Sequence, residues 1–182
     1  MFVVRSIEGM ILSVDEMLVE LKARQDIRDN LSRYCRGVDR CDASLMASCF
    51  HDDAIDDHGF FKGPASEFVA LAVTRLSERF VSTKHHVTTH SVELRGRYAL
   101  CETYILALSR LSRDGEFSDV TFSARYLDRF ECRNGQWKVT HRRLVSDGRR
   151  TDPVGEDPPD ADPAPVGARG NSDPSVDFFN SF

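Results

Sequence analysis

A tyrosine, an aspartate and a pair of adjacent histidines are the residues of this 182-residue chain best suited by type and spacing to move protons. Tyr34 and Asp39 lie five positions apart in "RYCRGVDRCD" (residues 33–42), and His85 and His86 sit together in "TKHHVTTHSVELR" (residues 83–95). An imidazole paired with a carboxylate is a base usable near neutral pH. A buried phenol needs a hydrogen-bond partner, which a pocket can supply. Asp42 already has a structural use: it directly precedes a short helix, where an aspartate caps free N–H groups for about 1 kcal/mol. Asp39 has no such use. It falls just past the end of a long helix, where the dipole disfavours a carboxylate and raises its proton affinity. The alternative is that Asp39 points into water or pairs with Arg36 or Arg40.

The elements that must position these groups are legible from periodicity. Ile27, Leu31, Tyr34 and Val38 recur at helical steps, which predicts a helix over Asp15–Val38 with Gly37 at its fraying end. A short helix over Ala43–Phe50, a strand over Asp52–His58, a turn at "GFFKGP" and a helix from Pro64 to Phe80 follow. The pattern then changes to β-branched and aromatic runs at Thr83–Arg95, Tyr98–Leu111, Asp119–Arg133 and Gln136–Ser146, with the hairpin signal Asn134–Gly135 between the last two. Helices followed by an antiparallel meander predict an α+β fold, a cone-shaped α+β barrel in which N-terminal helices close a pocket on a curved sheet.

Strict alternation assigns the faces. His86, Thr88, His90, Val92 and Leu94 share one face of their strand, and His85 lies on the other. The first face turns apolar, so His86 and His90 are expected inside and His85 outside. In "WKVTHRRLV" alternation groups Arg142 with Lys138, Thr140 and Leu144, opposite Trp137 and Val139, which favours an outward position.

Composition narrows the function. A net charge of -5 with mixed signs offers no basic stripe for nucleic acid. Five scattered cysteines without a CxxC pair read as reduced thiols in a cytoplasmic protein. The N-terminal "MFVVRSIEGMIL" lacks a basic region and a small-residue cleavage site, so it is not read as a signal peptide, and no run is long enough to span a membrane. Six of the seven prolines follow Arg149. The expected organisation is therefore a domain over 1–148 and a disordered Pro/Asp-rich tail over 149–182. Its last residues, "VDFFNSF", could dock on a groove through Phe178, Phe179 and Phe182.

The segments "IRDNLSRYCRGVDRCD…LMASCFHDDAIDDHGFFKG", "HHVTTHSVEL" and "ARYLDRFECRNGQWKVTHRRLV" together resemble the SnoaL-like branch of the nuclear transport factor 2 fold, over roughly Val19 to Asp147. The resemblance is strongest to small cofactor-independent lyases. Bile acid 7α-dehydratases carry Tyr, Asp and His at positions matching Tyr34, Asp39 and His86. Hexachlorocyclohexane dehydrochlorinases share the Asp–His pair, carry Lys where Tyr34 stands and carry an Arg at the position of Arg142, which the likeness moves inward through a bulge. Scytalone dehydratases share Asp and His, but their further His, Ser and Asn are replaced by Ser109, Ala124 and Tyr126. The resemblance implies a dehydratase-like lyase or isomerase: His86 as base, Asp39 orienting it, Tyr34 and Arg142 stabilising negative charge, with no cofactor and no metal. The implied lining is Asp57, His58, Phe60, Phe61, Phe68, His90, Tyr104, Phe122 and Tyr126, suited to a hydrophobic, perhaps polycyclic, hydroxylated substrate. A homo-oligomer, dimer or trimer, and no membrane partner are implied too.

Three other readings stay open. "FHDDAIDDHG" gathers six potential metal ligands, though in no recognised spacing. The same fold serves as a structural module, as in dioxygenase small subunits, or as a ligand-binding one. It also hosts polyketide cyclases, whose acid–base needs are the same.

Overall fold

The computed structural model describes residues 13–154 and 165–181. The apolar N-terminal stretch, Phe182 and most of the Pro-rich segment lie outside these described residues. The chain runs α1 (Val14–Arg40), α2 (Ala43–Ala47), β1 (Phe50–Asp57), β2 (Lys62–Pro64), α3 (Ala65–Arg79), β3 (Phe80–Arg95), β4 (Tyr98–Arg113), β5 (Glu116–Arg133) and β6 (Gln136–Pro153). One six-stranded sheet results, in the order β2-β1-β6-β5-β4-β3, antiparallel except where β1 meets β6.

Helix α1 starts with a capping box in which Ser13 and Glu16 satisfy each other's backbone N–H groups. Its predicted apolar stripe is the core: Ile27, Leu31, Tyr34 and Val38 are buried against Phe68, Tyr126, Phe130 and Val139. Burying each large aliphatic side chain there contributes about 1.5–3 kcal/mol. The helix ends at Cys41, in the left-handed region at φ 53°, where the N–H groups of Cys41 and Asp42 close on Val38 and Gly37 carbonyls. Gly37 is inside the helix rather than at a frayed end. A Cβ there would meet Met46 Cγ at 2.8 Å and Met46 N at 2.9 Å, so glycine lets α2 pack hard against α1. Asp42 caps α2 through Leu45 N at 2.9 Å.

Strand β3 is a sheet edge, and α1 covers it. Arg24 Nη1 donates to Val92 O at 2.9 Å, and Asp39 accepts from His85 N at 2.9 Å. Backbone groups that an open edge would leave bare are thus met by side chains of the helix.

Two irregularities in the sheet decide which side chains face inward. In β3 the pairing passes from Val87↔Ile105 to His90↔Thr103, so one extra residue is accommodated at Thr88–Thr89. In β6 it passes from Val139↔Phe130 to His141↔Arg129, with the extra residue at Thr140.

The expected domain boundary after Gly148 falls inside β6, which continues to Pro153 against β5. Beyond the undescribed stretch the chain is ordered: a short helix α4 (Pro174–Phe179) docks by α1. Buried Asp173 caps α4 through Ser175, accepts from Ala168 N at 3.0 Å and pairs with Arg40 at 3.1 Å. Arg36 meets Ser175 Oγ at 3.2 Å and lies 4.9 Å over the Phe179 ring. Among the described residues no helix is long and apolar enough to cross a membrane.

Candidate active site

A cavity of about 410 Å³ opens between the concave face of the sheet and the helices. Its wall carries Tyr34 from α1, His58 from the turn after β1, Phe68 from α3, His85 from β3, and Phe122 and Tyr126 from β5. The volume falls within the ~300–1,000 Å³ usual for small-molecule pockets.

Asp39 holds a histidine at this wall, but the histidine is His85. Its Nδ1 is 2.6 Å from Asp39 Oδ1, and the second carboxylate oxygen takes the His85 backbone N–H. Both side chains are 13% exposed. His86, the expected partner, is exposed on the other face, with Nδ1 3.2 Å from Leu106 O. The physical reason is the bulge at Thr88–Thr89. Alternation counted back from Val92 and Leu94 inverts across it, so the inward set is His85, Val87, His90, Val92 and Leu94. With Nδ1 bonded to a carboxylate, Nε2 is the ring nitrogen left free to meet a ligand in the cavity.

Tyr34 is 1% exposed and lies on the cavity wall. Burial pushes its phenol well above its ordinary value, against the pull of Arg142. Burial and the neighbouring Tyr34 do the same for Tyr126. Both phenols therefore remain hydrogen-bond donors at any working pH.

Arg142 is inside, as the resemblance implies and alternation does not, because the bulge at Thr140 turns it. It is fully buried and bidentate to Asp128, Nε to Oδ1 at 2.8 Å and Nη2 to Oδ2 at 2.7 Å. Burial opposes its charge and Asp128 outweighs that. Its guanidinium centre lies 4.1 Å from the Tyr34 ring and 4.0 Å from that of Tyr126, behind the cavity wall rather than on it.

The remaining lining residues divide. His58, Phe60, Phe68, Phe122 and Tyr126 are on the wall. Phe61 packs against Phe68, ring centroids 5.7 Å apart, without reaching the cavity. His90 lies off the wall, bonded to Thr103 Oγ1 at 2.8 Å, and burial lowers its pKa. Tyr104 is on the outer face and 41% exposed, because β4 turns Ala99, Cys101, Thr103, Ile105 and Ala107 inward. That spacing of small and branched residues was available in the sequence. Asp57 alternates away from the cavity, toward Lys62 and the Gly59 N–H. The acidic stretch disperses: His51 goes to Glu131 O, Asp53 to Arg133, and Asp56 to His58. Asp56 and His85 were missed. Asp56, fully buried, could have been found from its i, i+2 spacing to His58 in the stretch expected as a strand over Asp52–His58.

The family model of the SnoaL-like domain matches residues 19–143. The chain belongs to the SnoaL-like family. Solved structures agree on the fold. A type 2 hexachlorocyclohexane dehydrochlorinase superposes with a TM-score of 0.68 at 24% identity, covering 79% of this chain and 99% of that one. A scytalone dehydratase-like protein from Novosphingobium aromaticivorans gives 0.62 at 19%, covering 80% and 100%. A nuclear transport factor 2-like superfamily protein from Salmonella enterica gives 0.61 at 15%, covering 71% and 94%. No curated protein matches. This SnoaL-like chain thus has the nuclear transport factor 2-like cone fold, with a dehydrochlorinase and a dehydratase-like protein among its structural neighbours.

Proposed function

We propose that the protein is a cofactor-independent lyase or isomerase in which His85, oriented by Asp39, abstracts a proton from a hydrophobic small molecule held in the cavity. The observation that carries this reading is the pairing of Asp39 with both the ring and the backbone of His85 at the cavity wall. A base fixed in tautomer and orientation is what C–H abstraction needs. Tyr34 and Tyr126 supply donors for the charge that develops, and Arg142 acts behind them by holding their rings and the field at that wall. The dehydrochlorinase and dehydratase-like neighbours support elimination. Exposed Tyr98, Leu100, Tyr104, Leu108 and Leu127 support assembly of copies of the chain.

The test uses 5-nitrobenzisoxazole, whose ring opens when a base removes its C–H proton and whose phenolate leaves unaided. Asp39→Asn and His85→Gln are each expected to lower the rate constant by about 10²–10⁴-fold, while His86→Gln leaves it near that of the wild type. Equal rates for wild type and His85→Gln sink the base assignment and favour a ligand-binding module.

A further inference from the structure

A second Asp–His pair borders the cavity through its histidine. Asp56 lies near the end of β1 and His58 just past it, two residues on, while Asp57 between them turns toward Lys62. Asp56 is fully buried, and its Oδ1 is hydrogen-bonded to His58 Nδ1. The His58 ring is stacked on Phe68, centroids 4.0 Å apart and 18° between planes, which fixes its orientation. Its side chain is 10% exposed and lies on the cavity wall. With Nδ1 engaged, Nε2 is the nitrogen left for a ligand. His58, after β1, and His85, on β3, come from strands near opposite ends of the sheet order, and both line the same cavity.

The two pairs are not alike. Both oxygens of Asp39 are met by N–H donors of His85. Asp56 Oδ2 is buried and has no hydrogen-bond partner among the described residues. Asp56 therefore leans on His58 alone in its hydrogen bonding, so the orientation of its carboxylate and of the His58 ring is set by this one contact. Asp39 is satisfied twice and is partly exposed.

Resting on the base role of His85, we propose that His58 is the general acid of the site and that the leaving group is a hydroxyl. Chloride departs as a stable anion and needs no proton; hydroxide does. In the step, His85 Nε2 takes the proton from carbon and the C–H electron pair becomes the C=C bond. The C–O bond breaks with its electrons on oxygen, and the His58 Nε2 proton completes a molecule of water. His85 ends protonated and His58 neutral, and solvent exchange restores both. Asp56 is the positioning residue, holding Nδ1–H so that Nε2 faces the substrate.

The test sets two probes against each other on the full chain: 5-nitrobenzisoxazole, which needs only a base, and 3-hydroxy-1-phenylbutan-1-one, which must lose water. His58→Gln and Asp56→Asn are expected to lower dehydration by about 100-fold more than they lower the ring opening, within the usual reach of general acid catalysis. A purely structural pair moves both rates alike, and that outcome overturns the assignment. A wild type that opens the benzisoxazole through His85 but does not dehydrate the hydroxyketone also overturns it, leaving the base reading intact. A wild type that turns over neither removes the base reading, and this inference with it. The benzisoxazole rate also reports whether each variant is folded.

Discussion

The two Asp–His pairs are built in opposite ways. Asp39 and His85 are 46 residues apart, brought together by the end of α1 lying along the β3 edge. Asp56, on β1, and His58, just past its end, are two residues apart and are brought together by local chain geometry. A pair made by tertiary packing is sensitive to everything that moves its helix. A pair made within three residues depends only on its own short stretch of chain.

The largest effect expected on this contrast comes from the buried ion pair that both share as background. Arg142→Met leaves Asp128 charged and unpaired in the core, at a cost of about 3–5 kcal/mol. Urea unfolding is expected to show that loss, and the ring signals of both His85 and His58 are expected to move, because Tyr34 and Tyr126 lose the group between them. Unchanged stability would mean that Asp128 finds another partner.

Gly37→Ala divides the pairs. The new Cβ must push against Met46 backbone and side chain, forcing apart α1 and α2 two residues before Asp39. Overpacking of this kind costs about 1–3 kcal/mol. The His85 ring resonance in an NMR spectrum is expected to shift while that of His58 stays; equal shifts would show that the pairs are coupled.

The smallest effect concerns His90, the internal histidine with no carboxylate bonded to it. Burial lowers its pKa; Arg28 and Arg24 add to the lowering and Asp128 opposes it. The folded state therefore resists protonating it. Its contribution to stability is present above the unfolded value of about 6.5 and is lost as pH falls below that toward the folded value. Wild type is expected to lose more stability than His90→Gln between neutral and mildly acid pH in urea titrations. Parallel losses would assign the slope to other groups.

Most of the fold was legible because it rests on local signals. The stripe Ile27–Leu31–Tyr34–Val38, the Asp42 cap and the Asn134–Gly135 turn each act within a few residues. The site was legible by residue type but not by face. Tyr34, Asp39 and the His85–His86 doublet were found, yet His86 was expected inward. Neither bulge contains a glycine or proline to mark it; Thr88–Thr89 and Thr140 look like ordinary strand. The resemblance implied an inward Arg142, where the structure has it, but also an inward His86, which the structure has outside. The order of residues 165–181 was hidden for another reason. Asp173 looks solvated in a Pro/Asp-rich stretch, and only the folded chain supplies Arg40, Ala168 and Ser175 around it.

The bulge in β3 makes the identity of the proposed base a matter of counting. Removing one of the two threonines, Thr88 or Thr89, would restore simple alternation and exchange the addresses of His85 and His86, with no change in the chemistry available. A doublet of histidines beside an insertion point is thus tolerant of single-residue insertion and deletion, since one imidazole or the other always faces the cavity. Comparisons between such chains that align residue to residue, without allowing the strand its extra member, will place the base one position off.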